Sequence, residues 1–229
     1  MPKHRLLIVG AGRIGAAFRW HDSAYTHAGA ARMLHDRVEL VGFVEPNPER
    51  ADEAERKWNA TAYESLQEGL TSSQPDIVSV CVQPEDQIAV MAALEHADMV
   101  RGIWCEKPYM GFPSKKRVQV NYLRRADARH QAIAAESGRA RKLIVYGKDD
   151  IHTRCHFEDL RKWWECELDY RVFNGPCAYA LVYPHAGEDA FFDNGGLRDP
   201  GHCMARMLGN LLNVLDGYEN KLWSPADAA

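Results

Sequence analysis

The sequence predicts an α/β protein, with a parallel sheet in its first half and a smaller α+β domain with an open mixed or antiparallel sheet in its second half. Apolar runs alternate with helix-like segments up to about residue 110, as in a parallel sheet covered on both faces. A glycine-rich turn follows the first apolar run. After residue 110 the pattern changes to shorter segments separated by loops. We therefore predict two domains, over residues 1–117 and 118–229.

The first domain is predicted to alternate strands and helices. Four apolar runs indicate strands, over residues 5–9, 38–44, 76–82 and 100–105. Helices are predicted between them, from the glycine turn to residue 35 with an interruption near 21–23, over 48–58, and over 88–96. Asn47 is the predicted N-cap of the second helix.

The second domain is predicted from weaker patterns. Strands are expected over residues 118–123, 142–146, 170–173 and 177–183, and helices over 127–137, 157–166 and 202–215. The dipeptide Asn174-Gly175 is typical of a hairpin turn between the last two strands. An open sheet with apolar strands favours pairing of two copies, so we expect a homo-oligomer formed through this sheet.

Charge and hydropathy exclude several classes of partner. The formal net charge of the 229 residues is −4 with histidine neutral, which gives no support for a nucleic-acid or membrane-surface partner. No apolar stretch approaches the roughly 20 residues that a membrane span needs. The N-terminus lacks the pattern of a secretory signal. We therefore expect a cytoplasmic protein.

The cysteines are predicted to be reduced structural thiols. There are six, and no two of them form a C-x-x-C pair. They are Cys81, Cys105, Cys155, Cys166, Cys177 and Cys203. The group formed by His152, Cys155, His156 and Cys166 fits no common zinc spacing, so no metal site is predicted.

The glycine turn predicts a dinucleotide site. Gly10, Gly12 and Gly15 fit G-x-G-x-x-G directly after a strand, with Arg13 and Ile14 between the last two glycines. The first glycine permits the tight turn, the second lets the backbone approach a pyrophosphate, and the third lets the helix approach the strand. The helix N-terminus would then face the phosphates. The first domain is thus predicted to be a Rossmann dinucleotide-binding domain.

Glu45 is the predicted partner of the adenosine ribose. It follows the second strand, 30 residues after Gly15, whereas the usual offset is roughly 20; we attribute the difference to an insertion near residues 20–31. A carboxylate there accepts hydrogen bonds from the ribose hydroxyls and repels a 2′-phosphate, so NAD is expected over NADP. Arg50 lies near enough in sequence to bind the cofactor and to weaken that preference. The alternative is that Glu45 caps the following helix.

The chain resembles the glucose–fructose oxidoreductase/inositol dehydrogenase (Gfo/Idh/MocA) family. The segments that carry the resemblance are residues 10–15, 44–51, 75–80, 105–108 and 120–125. The resemblance covers the first half well and the second half in patches. It implies a Rossmann domain, a second domain built on an open sheet, and NAD(P)-dependent oxidation or reduction of sugar-like alcohols and ketones.

The resemblance also implies catalytic residues. In Cys105-Glu106-Lys107-Pro108, Glu106 and Lys107 would lie beside the nicotinamide, where a lysine can stabilise a developing alkoxide. His156 would act as general base and Asp159 would orient the substrate or the imidazole. Positions three apart share a helix face, so both could point into one cleft. His202 is a weaker second candidate, because Ala205 stands where an aspartate is expected.

The resemblance leaves alternatives to a sugar dehydrogenase. His152 stands where the family often has an aspartate. Residues 82–87 contain no histidine, although the family often has one there, and residues 107–118 are few for the helix and strand expected there. One alternative is therefore a non-catalytic dinucleotide-binding sensor or assembly protein. Another is a reductase of a non-sugar substrate such as a cyclic imine. Arg124 and Arg125 could instead favour an anionic substrate such as a nucleotide sugar.

Overall fold

The first domain is built on one parallel sheet. The computed structural model describes residues 2–21, 23–107, 109, 114–121, 123–126, 143–144, 181–182 and 200–219. Six strands, all paired in parallel, form this sheet in the order β3-β2-β1-β4-β5-β6. They are β1 (His4–Val9), β2 (Val38–Val44), β3 (Ala62–Tyr63), β4 (Ile77–Val80), β5 (Gly102–Cys105) and β6 (Arg117–Val120).

Helices cover both faces of the sheet. They are α1 (Arg13–Ala16), α2 (His27–Met33), α3 (Pro48–Trp58), α4 (Leu66–Ser73), α5 (Pro84–Glu95) and α6 (Pro200–Leu215), with a short 3-10 helix over Leu123–Ala126. Two antiparallel residue pairs, between β7 (Leu143–Ile144) and β8 (Leu181–Val182), complete the described structure.

The central parts of the inner strands are apolar because their side chains lie in one of two buried layers. Leu6 and Ile8 belong to a core cluster shared with α2 and α6, whereas Leu7 and Val9 belong to a second cluster on the other face with α4 and α5. Side chains alternate between the faces of a strand. A strand covered on both sides therefore reads as a continuous apolar run.

Several sequence predictions are confirmed. Strand β2 and helix α3 have the predicted bounds, and the side chain of Asn47 accepts a hydrogen bond from the backbone N–H of Arg50 as the N-cap of α3. The interruption predicted after the glycine turn is longer than expected, since α1 ends at Ala16 and α2 begins at His27. Strand β3 and helix α4 were not predicted.

The assignment of residues 118–123 to the second domain is wrong. Strand β6 pairs in parallel with β5, from Gly102 opposite Arg117 to Cys105 opposite Val120. The predicted boundary after residue 117 therefore falls inside a strand of the first domain's sheet. Strand β6 lies at the edge of the described sheet, and only its last two residues are buried.

Helix α6 also packs on the first sheet, although it was predicted as part of the second domain. It contacts α2, β5, β6 and the 3-10 helix. Arg206 Nη1 donates to the backbone oxygen of Ala126 at 2.9 Å, and a Cβ on Gly102 would lie 2.8 Å from Leu215 Cδ1. Helix α6 is therefore part of the layer that covers the first sheet.

Candidate active site

The predicted cofactor residues meet at the carboxyl edge of the sheet. Because all six strands are parallel, the residues that follow β1, β2, β4 and β5 lie on this edge. They are Gly10, Glu45, Cys81 and Glu106. Strand β1 pairs with β2 on one side and with β4 on the other, so the strand order reverses direction at β1. Open α/β sheets bind ligands at such a switch point.

Two glycines of the turn are required by the fold itself. Gly10 has φ +96°, and a Cβ there would lie 2.7 Å from the backbone oxygen of Cys81. A Cβ on Gly15 would lie 2.0 Å from the backbone oxygen of Gly10. Any side chain at either position therefore collides with backbone, and Gly10 also needs a conformation that favours glycine.

Gly12 is the exception, since a Cβ on it would meet no atom within 4 Å. Its backbone is extended, and its carbonyl accepts from the N–H of Ala16 at 3.0 Å. Neither packing nor conformation among the described residues explains a glycine here. A glycine at this position leaves room for a ligand to approach the backbone of the turn. Arg13 is exposed and Ile14 is half-buried on the same turn.

Glu45 is bonded to the glycine turn. Its side chain is only 5% exposed, Oε2 accepts from the backbone N–H of Ala11 at 2.9 Å, and Oε1 accepts from the N–H of Asn47 at 3.1 Å. Asn47, not Glu45, supplies the side-chain cap of α3. Glu45 is thus placed at the end of β2 as predicted.

Arginine side chains lie beside Glu45. Arg50 Nη1 is 4.0 Å from Glu45 Oε2, and the Arg50 guanidinium lies 5.6 Å from the centre of the Phe18 ring. Arg19, which contacts the same ring, also pairs with Glu49. The surroundings of Glu45 therefore carry both signs of charge.

Lys107 and Glu106 follow β5 at the same edge. The backbone N–H of Lys107 donates to Glu106 Oε2 at 3.2 Å, and Lys107 Nζ lies 3.9 Å from that oxygen. The Lys107 side chain is 37% exposed, whereas that of Glu106 is 10% exposed. The lysine is therefore accessible to a ligand while its partner carboxylate is buried.

A buried polar cluster, which the sequence did not predict, lies behind this pair and is formed by His27, Ser79, Glu106 and Asn121. His27 Nε2 is 3.0 Å from Glu106 Oε1, and His27 Nδ1 is 2.5 Å from Ser79 Oγ. Asn121 Nδ2 also donates to Glu106 Oε1. Burial raises the pKa of Glu106, but the bonds from His27 and Asn121 and the charge of Lys107 outweigh it, so this pKa is lowered overall.

The His27 side chain of this cluster contacts the ring of Trp104. The ring centres of His27 and Trp104 are 3.7 Å apart, and both side chains are fully buried. Among the described residues, Trp104 Nε1 and Asn121 Oδ1 have no hydrogen-bond partner. Such groups are costly to bury. No local pattern marks His27, since Glu106 is 79 residues further along the chain.

The other predicted catalytic residues, His156 and Asp159, lie outside the described residues. The same holds for Cys155, Cys166 and Cys177. Among the described residues, Cys81, Cys105 and Cys203 form no disulfide. In the described part of the chain, no group of three or more His, Cys, Asp or Glu could hold a metal ion. None of the helices described here has the length and apolar character to cross a membrane.

Comparison with known proteins places this site in context. The model of the oxidoreductase family with an NAD-binding Rossmann fold, GFO_IDH_MocA, matches residues 4–136. A search of curated protein sequences found no match.

Solved structures show the same fold. The WlbA dehydrogenase from Bordetella pertussis, in complex with NADH and UDP-GlcNAcA, is 25% identical with a TM-score of 0.51, over 63% of this chain and 45% of that one. A myo-inositol dehydrogenase from Corynebacterium glutamicum is 20% identical with a TM-score of 0.50, over 62% and 44%. An oxidoreductase from Thermotoga maritima is 16% identical with a TM-score of 0.63, over 99% and 93%. The match to the first two spans less than half of their length.

Proposed function

Because the chain belongs to the Gfo/Idh/MocA oxidoreductase family, we propose that it transfers a hydride between a nicotinamide cofactor and a secondary alcohol or ketone. The observation that supports this best is the open space beside Gly12 at the carboxyl edge of the sheet. A glycine that the fold does not require is explained by a ligand that must approach its backbone.

The turn and the end of β2 would hold the cofactor. The backbone from Gly12 to Gly15, with Arg13 and Ile14, would face the pyrophosphate, because the N–H groups of Gly10 and Ala11 already donate to Val44 and Glu45. Glu45 would accept from the adenosine ribose through whichever lone pairs its bonds to Ala11 and Asn47 leave open. When bound, the cofactor supplies the hydride donor or acceptor of the reaction.

We propose NAD in preference to NADP. The carboxylate of Glu45 would repel a 2′-phosphate at the end of β2, and its burial limits screening by water. Arg50, 4.0 Å from this carboxylate, opposes that preference by offering a positive charge. The balance between these two side chains is therefore the structural basis of cofactor choice.

Lys107 would act on the reacting oxygen. Its exposed ammonium can stabilise negative charge that develops as a hydroxyl loses its proton or a carbonyl gains a hydride. In the oxidation direction, the carbinol hydrogen leaves as a hydride and the hydroxyl proton passes to a base. By family resemblance we propose His156 as that base and Asp159 as the residue that orients it.

The proposed substrates are sugars, polyols and nucleotide sugars. The family resemblance supports this class, and the similar WlbA dehydrogenase was solved with UDP-GlcNAcA. Assembly through the C-terminal sheet and a cytoplasmic location remain proposals that rest on the sequence.

The experiment is a titration with NADH and with NADPH, followed by cofactor fluorescence, and then a turnover screen over the three substrate classes. Lys107→Ala should lose turnover about a hundredfold or more but keep cofactor binding. Lys115→Ala, an exposed lysine just before β6, is the matched control and should leave both unchanged. NADH binding without turnover would favour the non-catalytic sensor. Absence of binding to either cofactor would contradict the proposal.

A further inference from the structure

We propose that His27 is a positioning residue that holds the Glu106 carboxylate in the orientation in which it fixes the Lys107 ammonium. The inference rests on the proposed function, because it assigns a role to Lys107 at the nicotinamide. It adds a residue of α2 to the site, far from the glycine turn and from Glu106 in sequence.

The two carboxylate oxygens of Glu106 contact different residues. Oε1 faces the interior, lies 3.0 Å from His27 Nε2 and accepts a hydrogen bond from Asn121 Nδ2. Oε2 faces the edge and receives the N–H of Lys107 at 3.2 Å, with the ammonium at 3.9 Å. A carboxylate held at one oxygen by two donors cannot rotate freely, so its second oxygen has a fixed position toward Lys107.

His27 is itself held on three sides. Ser79 Oγ lies 2.5 Å from Nδ1, and the Trp104 ring contacts the imidazole with the two ring planes tilted by 35°. With Nε2 donating to Glu106, the other ring nitrogen is left to share a hydrogen bond with the Ser79 hydroxyl. The ring thus has one orientation relative to the carboxylate.

The line of Ser79, His27 and Glu106 is not a nucleophilic triad. Ser79 is fully buried, and so is His27. A nucleophile must reach its substrate. Lys107 contacts this network and its side chain reaches solvent. We therefore infer that the network serves to position the Lys107 ammonium.

Among the described residues, four charged or titratable groups surround Glu106. His27 approaches from α2, Lys107 from the chain after β5, and the thiols of Cys81 and Cys105 from the ends of β4 and β5. Burial and the charge of Glu106 raise the pKa of both thiols. His27 and Asn121, which lie at hydrogen-bond distance from Oε1, are the interior partners of this carboxylate.

The test measures Lys107 directly and needs no cofactor. Competitive acetylation with acetic anhydride near pH 8, read by peptide mass spectrometry, reports how readily the Lys107 amine reacts. His27→Phe keeps the ring against Trp104 and removes the donor, and His27→Gln keeps a donor without the ring. His4→Phe is the matched control, because His4 is also buried and bonded to carboxylates, at the opposite edge of the sheet.

In His27→Phe and in Glu106→Gln, Lys107 should be acetylated about two- to fivefold faster near pH 8, the size expected for a loosened ion pair. His27→Gln should restore at least part of the wild-type rate, and His4→Phe should keep it in full. Unchanged Lys107 acetylation in a folded His27→Phe protein would overturn the proposal. Failure of NADH binding would instead contradict the proposed function while leaving the acetylation result valid.

Discussion

The carboxylate of Glu45 accepts a 2.9 Å hydrogen bond from the backbone N–H of Ala11, so the acidic residue at the end of β2 is joined to the glycine turn that follows β1. The same side chain also accepts from Asn47 at 3.1 Å. One residue thus fixes both the turn and the start of α3. Its proposed role at the ribose and its role in the fold depend on the same two oxygens.

Replacing Glu45 should therefore affect stability as well as cofactor choice. Glu45→Ala leaves the Ala11 and Asn47 N–H groups without their acceptor, which we expect to lower the free energy of unfolding by about 1–3 kcal/mol. Urea denaturation measures this loss. Glu39→Ala, at an exposed glutamate of β2, is the control and should change stability by less than about 1 kcal/mol. Equal stability of the two variants would show that the Glu45 bonds contribute nothing.

The third glycine should be essential to the fold. Gly15→Ala places a methyl group 2.0 Å from the Gly10 carbonyl, and we expect a loss of about 1–3 kcal/mol or more in stability. In Gly209→Ala, on helix α6, the new methyl meets only Leu34 Cδ1 at 3.8 Å, so stability should be unchanged or slightly higher. Thermal unfolding compares the two. A Gly15→Ala protein as stable as wild type would contradict the close contact between α1 and the turn.

Acid should destabilise the protein in part through Asp216. Burial raises the pKa of Asp216, but its bonds to His4 at 3.0 Å and Arg37 at 2.9 Å outweigh this and lower the pKa overall. A carboxyl with a lowered folded pKa stabilises the fold above its unfolded pKa of about 3.9, and this contribution is lost as the pH falls through the folded value.

Urea denaturation of wild type and Asp216→Asn between pH 7 and pH 3 tests this. The stability difference between them should be largest at the neutral end and shrink toward pH 3. Asp52→Asn, at an exposed position of α3, is the comparison. A difference that stays constant over the whole range would rule out the lowered pKa of Asp216.

The buried thiols should resist alkylation. Burial, and then the charge of Glu106, raises the pKa of Cys105, so little thiolate exists at neutral pH. We expect iodoacetamide to modify Cys105 about a hundredfold or more slowly in the folded protein than in urea, as read by peptide mass spectrometry. Equal rates in both states would contradict the burial of this strand.

The sequence was informative where local signals were strong. Strand β2 is a continuous apolar run, and α3 begins at Asn47-Pro48, a cap followed by a proline at the first helical position. The short strand β3 has only two residues and no pattern of its own. Helix α4 had a usable signal in the sequence, because Ser65 is followed three residues later by Glu68. In the structure, the Ser65 side chain accepts from the N–H of Glu68 as the N-cap.

Long-range contacts could not be predicted in the same way. Strand β6 pairs with β5, and α6 packs on the first sheet. Both arrangements depend on tertiary packing, which the local sequence of these segments does not encode. The contact between His27 and Glu106 joins two elements that no spacing rule connects. Gly10, Gly12 and Gly15 were predicted together, yet only the structure separates the two that the fold needs from the one that it does not.

Calorimetric titration of NADH into Gly12→Ala tests the central claim most directly. Because a Cβ at Gly12 meets no atom within 4 Å, the variant should fold with wild-type stability, yet its methyl group should weaken NADH binding by about tenfold or more. Gly209→Ala should bind NADH like wild type. A stable Gly12→Ala protein that binds NADH as tightly as wild type, or a wild type that binds none, would contradict a dinucleotide site at this turn.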